Sequence, residues 1–329
     1  MPHVPEGYNV IKEYRRLAGA RIDQESPALC FALQMAEFRR EAFLESLDDD
    51  ESTRIFDGRA RLDEDPEAVG ARLRASLGVE LATQQKWSTG YEALAGWRWA
   101  AENQGVLFFQ PPRVSMNEMR GAIIPHASAP IVLLNPKDAP YGRVFTLAHE
   151  LIHLWLVRGG HNTGSSERHH SVENQPTEVF CNAAAAATLL PQQEFLGDPD
   201  VRLAAERSPQ DLSLMRAIAS RYGVSTETVA RRFSTLGLIS TSEYDRLRKE
   251  GRFGMRAKIR PGPVKIELRV LAQVGIPFAE TVIAAYYRDQ LTGNRLSDYL
   301  GTKLKYLPKI EQRLAGGIHQ SAEVEAAAG

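Results

Sequence analysis

The feature that most constrains this chain is the run Val144-Phe145-Thr146-Leu147-Ala148-His149-Glu150-Leu151-Ile152-His153-Leu154-Trp155. Apolar residues on every side predict a buried helix from about Arg143 to Val157, stopped by Gly159-Gly160. Two histidines four residues apart share one helix face, so both imidazoles can reach a single ion. Glu150 sits about 100° further around that helix, which suits a general base beside a metal-activated water rather than a ligand. Imidazole and carboxylate groups on such an apolar helix require partners if buried, and a divalent metal supplies one.

A catalytic Zn2+ takes three protein ligands and keeps one position open. No His-x-x-Gly-x-x-His continuation follows His153, so the third ligand must come from further along. His161, Glu167, His169, His170, Glu173 and Glu178 are the choices. Glu178 is preferred. It opens a helix that starts near Pro176 and stops at Pro191, and the alanines at 183–187 allow that helix close approach to a neighbour. Close approach lets a short carboxylate reach a metal held from the adjacent helix, and His/His/Glu is a catalytic zinc set. His169 and His170, in a polar loop, are possible stabilisers of the developing oxyanion. Cys181, a lone cysteine among alanines, reads as a small core residue.

The rest of the chain is read as mostly helical α+β. Leu94, Trp97 and Ala101 space out an amphipathic helix, and 106–109, 121–124 and 131–134 read as three short strands. The expected architecture is a small mixed sheet packed on the two ligand helices, a zincin-like minimal core at 85–196. A helical segment at 1–84, a helix-turn-helix-like unit at 197–249 and a C-terminal helical domain at 250–329 surround it. The strands at 120–135 offer an edge on which an extended peptide could pair. Forty Lys and Arg against 41 Asp and Glu exclude a uniformly basic nucleic-acid coat. Two cysteines are too few for a disulfide scaffold at this length. The opening residues carry no signal-peptide core, and no window reaches about 18 uncharged apolar residues. A cytoplasmic protein with no membrane partner is expected.

The run F-T-L-A-H-E-L-I-H, then E-x-x-C-N-x-x-A-A closed by Leu189-Leu190-Pro191, resembles the ImmA/IrrE family of zinc metallopeptidases. The segments Arg120-Gly121-Ala122 and Pro130 to Asn135 are similar to that family as well. The detailed likeness covers about 90–195, and a looser one runs through Val224 to Phe233 and Leu236 to Ser240. The resemblance implies zinc ligands His149, His153 and Glu178 with Glu150 as general base. It also implies cleavage of a cytosolic helix-turn-helix transcriptional repressor in a stress, DNA-damage or mobile-element response. Many longer members begin with their own helix-turn-helix. This chain shows none at its start, so the repressor is expected to be a separate protein encoded nearby.

A second reading makes the chain a DNA-binding regulator with the zinc domain as sensor. Leu214, Ile218, Tyr222, Val229 and Phe233 give core spacing around the Gly223-Val224-Ser225 turn of a helix pair. Arg231 and Arg232 lie on the second helix. Residues 245–265 carry eight bases, Arg252 and Arg256 among them, against two acids. These arginines are the expected phosphate contacts if DNA is bound.

Overall fold

The computed structural model describes residues 13–15, 26–47, 56–161, 176–207, 212–253, 264–317 and 322–328. In chain order the elements are β1 (Glu13–Arg15), α1 (Pro27–Glu45), α2 (Pro66–Leu77), α3 (Leu81–Gln84), α4 (Gly90–Glu102), β2 (Leu107–Phe109), β3 (Gly121–Ile124) and β4 (Ile131–Leu134). Then come α5 (Pro140–Arg158), α6 (Pro176–Leu189), α7 (Gln192–Gly197), α8 (Pro199–Glu206), α9 (Ser213–Arg221), α10 (Thr226–Thr235) and α11 (Thr241–Lys249). The chain continues through α12 (Ile266–Val274), α13 (Ile276–Tyr287), α14 (Gly293–Leu300), α15 (Leu307–Ala315) and α16 (Ala322–Ala326). The architecture is α+β and mostly helical, as expected.

The three expected strands form, and a fourth joins them. The sheet order is β1-β3-β4-β2, with β2 parallel to β4 and both other pairings antiparallel. The free edge expected near 120–135 is therefore not free: β1 lies along β3. The short N-terminal strand carried no alternating pattern long enough to announce itself.

Both faces of the sheet are buried, and side-chain alternation sends them into different cores. Phe108, Ile123, Val132 and Leu134 enter a core built with α2, α4, α5, α6 and α9–α11. Leu107, Phe109, Ala122, Ile124, Ile131 and Leu133 enter another, built with α1 and α12–α16. The N-terminal helices thus divide between the two, α1 on one face and α2 on the other. No single helix among the described residues is long and apolar enough to cross a membrane. The most apolar pair, α12 and α13, is bent by 103°, and its buried residues face the second core.

Local chemistry explains the two helices that matter most. α5 starts three residues earlier than the apolar pattern indicates, because Pro140 fits a helical first turn and Ala139 is extended. At its far end Gly160 adopts φ +89°, and His161 and Gly160 donate their amides back to Leu156 and Val157, closing the helix as a Schellman motif. α6 packs against α5 on one side and α2 on the other. Its alanines serve the α2 contact in particular: a Cβ at Gly70 would lie 2.6 Å from both the Ala184 carbonyl and the Ala187 methyl.

Candidate metal centre

His149 and His153 project from α5 at a helical spacing of four, and Glu178 from the first turn of α6. All three are buried. Their atoms converge: His149 Nε2 lies 2.9 Å from His153 Nε2 and 3.4 Å from Glu178 Oε2, and His153 Nε2 is 3.0 Å from Glu178 Oε1. Bonds of about 2.0–2.1 Å in tetrahedral geometry place neighbouring donors about 3.3 Å apart, so this set fits a zinc ion. Among the described residues, His149, His153 and Glu178 are the group that could hold a metal.

Burial alone would push the Glu178 carboxyl up, but the adjacent His149 and then His153 outweigh it and hold the group well below the usual carboxylate range. Glu178 is therefore an anion at neutral pH, the form a metal binds. Of the other third-ligand choices, His161 is engaged elsewhere: its Nε2 lies 3.1 Å from Thr177 Oγ1, linking the end of α5 to the start of α6. Glu167, His169, His170 and Glu173 lie outside the described residues. Cys181 is a buried core residue.

Glu150 is 1% exposed and lies against β3. The approach is so close that a Cβ on Gly121 would sit 2.5 Å from Glu150 Oε1 and would also overlap Thr146. Gly121 was not among the expected site residues, although any side chain there would collide with Glu150. It carried two signals, the family likeness of Arg120-Gly121-Ala122 and a glycine in a strand, which marks close approach of another group.

Residues 101–234 match the family model described as the IrrE N-terminal-like domain, peptidase family M78. This stretch of the chain is similar to an ImmA/IrrE-type peptidase domain. No curated protein and no solved structure matches the chain. The IrrE-like segment begins at the end of α4 and ends within α10, so it holds the sheet strands β2–β4, both ligand helices and the helix pair α9 and α10. The match supports a metallopeptidase-type function, in agreement with the buried cluster of candidate metal ligands.

One residue of the helix pair, Arg232, joins residues of α2 and α3 in closing the end of α6. The last carbonyls of α6 are buried, and each needs a donor. Arg74 bonds to the Thr188 carbonyl at 2.9 Å, Gln84 to Leu189 at 2.9 Å and Arg232 to Leu190 at 2.8 Å. Arg232, which the sequence offered as a phosphate contact, is thus 2% exposed, and it bonds to Glu67 as well. Its cation also suits the negative end of the α6 dipole. Arg231 lies over the rings of Phe145 and Tyr244, 5.4 and 5.1 Å from their centroids, and 3.8 Å from Glu227. Arg252 is exposed, and Arg256 lies outside the described residues.

Proposed function

We propose that this protein is a zinc-dependent endopeptidase of the cytoplasm that cuts one specific regulatory protein, a helix-turn-helix transcriptional repressor encoded nearby. The observation that carries the reading is the convergence of His149, His153 and Glu178 within 3.4 Å of one another, with Glu150 buried alongside. The donor set is the one a catalytic zinc takes, and the family match supports peptide-bond hydrolysis.

His149, His153 and Glu178 would hold the ion. Zinc, when bound, supplies Lewis acidity, polarising a carbonyl and lowering the pKa of water toward about 7. Glu150 acts as general base: it accepts a proton from the attacking water and returns it to the departing amine. Its carboxylate is buried and lies close against Gly121 of β3. His169 and His170 remain the proposed stabilisers of negative charge on the carbonyl oxygen.

The test is co-incubation with the small helix-turn-helix protein from the neighbouring reading frame, with and without a chelator. Expected is a discrete cut that the chelator abolishes and zinc restores. An intact repressor at stoichiometric zinc loading would reject the substrate assignment. The DNA-binding alternative has less support, since Arg232 is committed to Leu190 and Glu67 and Arg231 to two aromatic rings. A salt-dependent titration on duplex DNA decides it, and binding that Arg252→Ala weakens would favour it.

A further inference from the structure

The edge of β3 that does not face β4 is built to grip an extended chain. One bond sets its phase: the Asn135 amide donates to the Arg120 carbonyl at 2.9 Å, in register with the β3–β4 pairing. Hydrogen-bonded and non-bonded pairs alternate along an antiparallel ladder. Ala122 and Ile124 therefore bond to β4, while the amides and carbonyls of Gly121 and Ile123 point to the opposite edge. Gly121 is also the β3 residue against Glu150. A peptide paired along this edge would run beside the proposed general base.

That edge already has an occupant. β1 pairs antiparallel with β3, placing Glu13 opposite Ile123 and Arg15 opposite Gly121, the two β3 residues whose backbone groups face outward. We propose that the strand Glu13–Arg15 is an intramolecular stand-in for substrate, one that must leave before a peptide partner can pair with β3. This deepens the peptidase reading and rests on it. Three residues are near the lower limit for a strand, and so few ladder bonds yield to a longer competing strand. The arrangement closes the β3 edge to casual peptides and opens it to a partner long enough to displace β1.

The test uses the full chain without metal. Arg15→Pro removes the amide that donates to the Gly121 carbonyl, while Arg15→Ala keeps it. Amide hydrogen exchange at Gly121 and Ile123 should be slow in the wild type and in Arg15→Ala, and faster by about tenfold or more in Arg15→Pro. Wild-type exchange as fast as that of Arg15→Pro would overturn the proposal. A fluorescent peptide covering residues 8–20 should bind Arg15→Pro and not the wild type. Failure to bind Arg15→Pro would show that the edge is not a peptide site. Both readouts are metal-free, so their failure strikes this inference alone, whereas absent zinc-dependent cleavage strikes the peptidase reading and leaves the exchange result standing.

Discussion

Glu150 and Glu178 are both buried carboxylates, yet their positions give them different work. Glu178 faces the ring nitrogens and is held anionic by them; Glu150 is turned a third of the way around α5, toward the β3 backbone. Replacing Glu150 with Gln keeps the shape and removes the proposed base. Zinc stoichiometry by mass spectrometry should be unchanged, and turnover should fall by about 10²–10⁴-fold. Retained turnover would remove Glu150 from the chemistry. Replacing Glu178 with Ala should weaken zinc binding by more than the ~10–100-fold that loss of an outer partner costs. If zinc affinity measured by chelator competition is unaltered, the third ligand is another residue. The pair His149 and His153 was legible in sequence because helical spacing alone puts them on one face. The Gly121 contact was not, because nothing in the spacing says which strand lies over Glu150.

At the scale of elements, the site depends on how closely backbone segments approach. β3 lies over α5 only because residue 121 has no side chain. Gly121→Ala should cost about 1–3 kcal/mol of stability, as overpacking does, and should lower turnover by displacing Glu150 while zinc content stays the same. Thermal unfolding and metal analysis on one preparation check both parts. A variant with wild-type turnover would mean that Glu150 is not held by this contact. α6 was legible as a helix from Pro176, Pro191 and its alanines, and so was its closeness to a neighbour. What the sequence did not disclose is that α6 also packs closely on α2, with Ala184 and Ala187 against Gly70, or that Arg232 bonds to the Leu190 carbonyl just past the end of α6. A basic residue on the second helix of such a pair reads alike whether it turns outward to phosphate or inward to a carbonyl. Only packing separates the two.

For the molecule as a whole, the sheet joins two cores, and a buried ionic cluster ties them together. Arg98 on α4 bonds to Glu102 at 3.0 Å and to Glu325 on α16 at 2.6 Å. Gln110 links Glu325 to Arg143 at the start of the metal-ligand helix α5, with bonds of 2.8 and 2.7 Å. Burial pushes the Glu102 carboxyl up to about 7, with Arg98 opposing the rise. Between its ordinary value of 4.5 and about 7, the folded protein holds a proton that the unfolded chain has released. The stability this contributes is complete below pH 4.5 and is lost as pH rises through 7. Denaturant unfolding of the metal-free protein should therefore show a decline from pH 5 to pH 8 that Glu102→Gln flattens. Parallel pH profiles for the two proteins would assign the decline to other groups.

By itself, the sequence determined the metal-binding helix, the ligand types and the mainly helical class, because these follow from local periodicity and from the chemistry of imidazole and carboxylate groups. Tertiary structure alone decided which edge of the sheet β1 covers, which arginines turn inward and how the last helix locks onto the first turns of α5. Those outcomes depend on contacts between residues far apart in the chain, such as Arg98 and Glu325 or Arg15 and Gly121. No local pattern encodes such pairs, since each becomes favourable only once the rest of the core has brought the two partners together.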